Sequence, residues 1–164
     1  STLLASSAAS DVYKRQLVYL SNLVGSVIIA ALVYFSGQLD MSAGLLGAFT
    51  IKVAYGKAAL PFSRALFSGI LCNILVCVAV LMAGAAKDIA GKVFAILFPI
   101  MAFVIGGYEH CVANMATFVT AALLVPGGIS LTAALKSMVI VTIGNAIGGG
   151  VLLAWPLRMM SADK

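Results

Sequence analysis

Glu109 and His110 stand side by side inside a long apolar stretch, directly after Gly106, Gly107 and Tyr108. An acid and an imidazole can exchange protons or steady a passing ion. Asn114 follows His110 by four residues, the spacing of one helical face. That face would offer a titratable donor and a neutral amide, without a permanent charge to trap an anion. Two further amides, Asn73 and Asn145, and the cation Lys57 are the other polar anomalies in apolar surroundings.

These groups need an environment that explains them. The chain has 164 residues, of which 63% are hydrophobic and only 9% charged. An ordinary soluble domain carries about 25% charged residues. With a mean hydropathy of +1.15, a soluble globular domain is excluded. The net charge of +5 comes from ten scattered Lys and Arg; they form no basic stripe, so no nucleic-acid partner is expected. Cys72, Cys77 and Cys111 are odd in number and lie in apolar runs, which argues against a disulfide scaffold. Cys72 and Cys77 read as apolar fillers. The class is an all-α polytopic membrane protein.

Apolar runs of about 20 residues cross the hydrocarbon core. They place spans at 17–39, 65–86, 93–124 and 134–157, within a membrane domain at 17–164. The stretch between the first two, 40–64, reads as a connection. No run shows the alternation of a β-barrel strand. The lead-in 1–16 differs in character, and its SSAASDVYKRQ resembles a translated adaptor tail. It is expected to be non-native or disordered, on a chain truncated at its N-terminus.

Loop charges suggest the orientation. Lys14 and Arg15 precede the first span, Lys87 and Lys92 separate the second from the third, and Arg158 and Lys164 follow the fourth. With four crossings these segments share one side, and the positive-inside rule makes it cytoplasmic. Lys52, Lys57 and Arg64 on the other side need their own explanation. Trp155 fits an interfacial aromatic.

The third span is too long for one straight crossing without large tilt. Paired glycines near its centre favour a break near 106–109. A charged group at mid-membrane costs about 2.5–3.5 kcal/mol on insertion scales, so Glu109 and His110 should face protein or a water-filled path. The second half of the broken helix would start near Glu109. Free backbone N–H groups there would attract an anion. Asn73 reads either as an interhelical hydrogen bond, worth about 0.6 kcal/mol, or as a pore amide facing His110. Asn145 has the same two readings. Gly144 and Gly148 form a close-packing face, so that segment reads mainly as packing.

Other classes stay open at this point. His110 could be a buried histidine bonded to a backbone carbonyl in a structural subunit, or a haem ligand in a redox subunit. Glu109 and His110 could serve as acid and base in an intramembrane enzyme, with Cys111 beside them. One histidine without a second ligand cluster makes a poor metal site. The expectation is no metal, no cofactor and no enzyme activity.

The run Gly107-Tyr108-Glu109-His110-Cys111-Val112-Ala113-Asn114-Met115 closely resembles the G-[FY]-E-H-S-[IV]-A-N-M signature of the formate/nitrite transporter family. Gly69-Ile-Leu-Cys-Asn73-Ile-Leu-Val76-Cys is similar to that family's fourth-helix pattern, and Val141-Thr-Ile-Gly-Asn145-Ala-Ile-Gly-Gly-Gly150 to its sixth. Asn22-Leu-Val-Gly25 resembles the start of its third helix.

The resemblance implies an aquaporin-like channel fold. The spans would be helices three to six of six, with the fifth broken, in a homopentamer with one pore per protomer. It implies passage of formate, nitrite or hydrosulfide, proton-linked or channel-like, across a prokaryotic inner membrane with the C-terminus cytoplasmic. Small monovalent anions, protons and the lipid bilayer would be the partners. By the same resemblance His110 is the central pore histidine, Asn114 and Asn73 are polar pore residues, and Glu109 is the acid paired with Lys57. Phe103 and Val76 would belong to an apolar constriction; ordinary helix packing is their other reading. Cys111 replaces a common serine, and Leu123-Leu-Val-Pro126-Gly-Gly-Ile is a very short outer connection.

Overall fold

The computed structural model describes residues 2–162. Lys164, one of the charges used for orientation, lies outside them. All regular elements among the described residues are helical. They are α1 (Thr2–Phe35), a 3-10 turn (Gln38–Asp40), α2 (Leu45–Ala58), α3 (Phe62–Ala85), α4 (Ile89–Ile105), α5 (Cys111–Leu124), α6 (Leu131–Ala146), a π-helical segment (Ile147–Ala154) and α7 (Trp155–Ala162). α1 begins at Thr2, well upstream of the apolar run at Leu17.

The helices turn their apolar side chains outward. Ile28, Phe67, Val80, Phe98, Ile105, Leu131 and Trp155 are all exposed, which is the arrangement a lipid solvent rewards and water does not. Among the described residues, Gln16–Phe35, Phe62–Ala85 and the continuous run Leu131–Met160 are long and apolar enough to cross a membrane. The expected third span is divided into α4 and α5, each too short to cross alone.

The connection at 40–64 is not a simple loop. It contains α2, a 14-residue apolar helix. Gly44 at φ +82° precedes it and Pro61 follows it. Fourteen residues rise only about 21 Å, so a search for 20-residue spans passes over this helix.

The chain divides into two compact units. One holds the residues up to Ala54 with Val112–Ile129; the other holds Tyr55–Cys111 with the residues from Ser130 onward. In the first, Gly47 packs on the 3-10 turn, where a Cβ would come 3.1 Å from the Leu39 carbonyl. In the second, α3 packs closely on α6 and the π-helical segment. An added Cβ at Gly69 would meet the Val141 carbonyl at 3.0 Å, and one at Gly144 the Leu66 carbonyl at 2.5 Å. At Gly148 it would collide with the Ile70 carbonyl. The close-packing face expected at Gly144 and Gly148 is therefore present, and small residues let the two backbones touch. Ala65, Ile140 and Val141 form the buried cluster between these helices, with Leu60, Leu66 and Cys111 packed against it. At the start of α4, Asp88 caps the helix by accepting the Gly91 N–H at 2.7 Å.

Candidate functional site

The site grows from the way α4 ends. Gly107 adopts φ +64°, a left-handed conformation that costs an L-residue about 1–2 kcal/mol. The Gly107 N–H donates to Val104 O at 3.1 Å, and the Tyr108 N–H to Phe103 O at 3.0 Å. This pair of bonds is the Schellman motif, with glycine at its left-handed position. Residues 106–110 leave the helix, and α5 resumes at Cys111. The interruption covers residues 106–110, against an expected break near 106–109. His110 precedes the first helical residue, so helical periodicity does not put it on one face with Asn114.

Two backbone amides at the break are already occupied. The Glu109 N–H donates to Ser68 Oγ at 3.0 Å, and the Cys111 N–H to Asn145 Oδ1 at 2.9 Å. The expectation of free N–H groups at this helix start is therefore corrected for these two. Hydroxyl and amide side chains from α3 and α6 satisfy donors that burial would otherwise make costly.

Asn145 is the hub of this arrangement. Its Nδ2 donates to Glu109 O and to Gly69 O, both at 2.9 Å. Its side chain thus grips the backbone on either side of His110 and ties it to α3. Asn73 Nδ2 in turn donates to the Asn145 backbone carbonyl, so Asn73 makes the interhelical bond that was one of its two readings. Asn145 is 6% exposed, and its side-chain donors and acceptor are engaged with backbone.

Glu109 is 4% exposed. Its carboxylate receives Lys57 Nζ at 2.9 and 3.0 Å. Lys57 lies in the last turn of α2, where cations are favoured by the helix dipole. Its carbonyl accepts Ser137 Oγ at 2.9 Å, fixing that turn against α6. A buried acid without this partner would be strongly disfavoured. The surplus positive charge at 40–64 therefore has a structural purpose at Lys57.

His110 is half-buried and lies against Phe103, with ring centroids 5.8 Å apart and planes 28° from parallel. Phe103 occupies the last turn of α4 and also accepts the Tyr108 N–H, so the break itself sets the ring beside the imidazole. Val76 is half-buried on α3. One compact unit thus brings together Lys57, Glu109, His110, Phe103 and Asn73. Asn114 belongs to the other unit, where it is fully buried on α5.

Ser68, Ser137 and the bracing role of Asn145 are what the residue patterns left unseen. A hydroxyl in an apolar helix is common, and only its place immediately before Gly69 could have drawn notice.

A family model described as formate/nitrite transporter matches residues 7–159. The chain belongs to the formate/nitrite transporter family. Among relatives in that family, the formate channel FocA of Haemophilus influenzae is 37% identical over 162 residues, covering 83% of this chain and 54% of the relative. The uncharacterized transporter YrhG of Bacillus subtilis is 41% identical over 139 residues, covering 84% of this chain and 50% of the relative. Among solved structures, a pentameric formate channel with formate bound superposes with a TM-score of 0.81 at 27% identity, covering 90% of this chain and 65% of that one. A structure described as an FNT family ion channel gives a TM-score of 0.77 at 33% identity, covering 87% of this chain and 56% of that one. The chain spans about half the length of these curated formate/nitrite transporter relatives. The all-helical fold read from the sequence is the fold of this family's channels.

Proposed function

We propose that the protein passes small monovalent anions (formate, nitrite or hydrosulfide) across a bilayer, through a pore with His110 at its centre. The observation that carries this reading is the buried Lys57–Glu109 ion pair held directly beside His110 at a glycine-made helix break. Intramembrane ionisable groups are expensive and mark ion or proton paths. The family relationship and the pentameric, formate-bound neighbour support the anion class and a homopentamer.

The roles follow from charge and size. The Lys57 charge is cancelled by Glu109, so the site attracts an anion without trapping it. Phe103, with Val76, forms an apolar constriction that rejects hydrated ions, since stripping their water is costly. Asn73 and Asn114 supply neutral amides. An imidazolium N–H of His110 passes its proton to the anion, leaving neutral imidazole and a neutral weak acid. That acid crosses the apolar ring more readily than the anion. Transport is proton-linked when the acid crosses, and channel-like when the anion does. The protein sits in a prokaryotic inner membrane, a reading the bacterial relatives support, and the loop charges favour a cytoplasmic C-terminus.

The test is uptake of formate and nitrite into proteoliposomes across a range of external pH. His110→Phe is expected to flatten the pH dependence and alter the formate-to-nitrite preference. If both stay as in the parent, the role given to His110 is wrong. Glu109→Gln separates transport from a purely structural role, which predicts lost folding but normal flux per folded protein.

A further inference from the structure

The mechanism above leaves one polar contact at the break without a task. Ser68 lies on α3 and is half-buried. It accepts the Glu109 N–H at 3.0 Å. Its neighbour Gly69 offers its carbonyl to Asn145 Nδ2, and the same Nδ2 donates to Glu109 O. Glu109 is therefore held at three points: its amide by Ser68, its carbonyl by Asn145 and its carboxylate by Lys57. The first two are backbone contacts of the residue directly before His110, so they set the direction in which the imidazole leaves the chain.

We propose that Ser68 is a positioning residue for His110. Its hydroxyl oxygen anchors the backbone N–H of the residue that precedes the histidine, and it keeps the Glu109 N–H from acting as an anion donor. This rests on the reading of His110 as the pore histidine. Three consequences separate it from general packing. A methyl group at position 68 still fills space but cannot accept a hydrogen bond. Losing the acceptor leaves a buried N–H either unpaired or turned toward the anion. A threonine retains the hydroxyl and restores the anchor. The titratable groups around this point are the Lys57–Glu109 pair, Cys72 on α3 and Cys111 at the start of α5. None of them is replaced in Ser68→Ala or Ser68→Thr, and the His110→Phe arm shows which part of the pH profile belongs to His110.

The experiment is formate uptake into proteoliposomes against external pH, for the parent, Ser68→Ala, Ser68→Thr and His110→Phe. Thermal unfolding in detergent is measured on each. A neutral hydrogen bond contributes about 1 kcal/mol, which corresponds to about fivefold. Ser68→Ala is expected to lower uptake by about that factor and to displace the pH profile, while Ser68→Thr stays within about twofold of the parent on the same scale. Parental rate and pH profile in Ser68→Ala, with both altered in His110→Phe, overturn the role of Ser68 alone. An unchanged His110→Phe profile overturns the pore-histidine reading and this inference with it. A Ser68→Ala protein with parental pH profile and only a lowered melting temperature also overturns it, by assigning Ser68 to packing.

Discussion

The ammonium of Lys57 bridges both carboxylate oxygens of Glu109, at 2.9 and 3.0 Å, across 52 residues of sequence. The pair joins the end of α2 to the break between α4 and α5. Its side chains are 18% and 5% exposed, so water screens it little. Each charge is the other's compensation in a largely desolvated place.

Removing one partner should therefore cost more than removing both. Lys57→Met and Glu109→Gln are each expected to destabilise the protein by about 3–5 kcal/mol, since each strands or abolishes a buried charge. The double variant should lose less than either single variant, and so far less than their sum. Unfolding in a denaturing detergent titration measures all three. Strict additivity would show that the pair is not coupled.

Asn145 is expected to be the least replaceable amide. Asn145→Ala leaves the Cys111 N–H and the Glu109 and Gly69 carbonyls without their side-chain partner. Each unsatisfied buried group costs about 1–3 kcal/mol. Asn145→Asp keeps an acceptor for Cys111 but loses both donors, and brings a carboxylate toward Glu109. Both variants should melt well below the parent, and a melting curve for Asn145→Asp equal to the parent's would contradict the clamp.

The glycines of the last long helix should differ sharply among themselves. A Cβ at Gly144 would meet the Leu66 carbonyl at 2.5 Å, and at Gly148 it would collide with Ile70. At Gly150 it would meet nothing within 4 Å. Overpacking against rigid backbone costs about 1–3 kcal/mol. Gly144→Ala and Gly148→Ala should lower the melting temperature, and Gly150→Ala should not. Equal effects at all three positions would mean that helix propensity, not contact, decides.

Gly107 tests the break by conformation alone. No neighbour lies within 4 Å of its added Cβ, yet its φ is +64°. Gly107→Ala should cost about 1–2 kcal/mol, and Gly107→Asn less, because asparagine tolerates the left-handed region better. Ranked melting temperatures of the three proteins check this order. Alanine as good as glycine would exclude the Schellman ending.

Much of this was legible in advance, for reasons that can be named. A span placed at 65–86 corresponds to α3 at Phe62–Ala85, because a bilayer demands length and apolarity together. The break was legible because Gly106-Gly107 precedes an acid that lipid would reject. α2 was not, because 14 apolar residues carrying Lys52 and Lys57 resemble a charged connection when only full spans are sought. The anchoring contacts were not legible either. Ser68 and Asn145 act on backbone atoms of residues 41 and 36 positions away, and backbone groups have no letter in a sequence.

The π-helical segment Ile147–Ala154 has a consequence for insertions and deletions. Each of its bonds encloses one residue more than an α-helical bond. One α-helical residue turns the chain by about 100°. Excising a residue beyond Gly149 and letting the stretch tighten to α-helical bonding would leave the azimuth of Trp155 and Arg158 far less changed than that angle, while the Asn145 clamp upstream keeps its register. The wide turns thus give the last helix a place to absorb a one-residue deletion that an α-helix would pass on as a change of face.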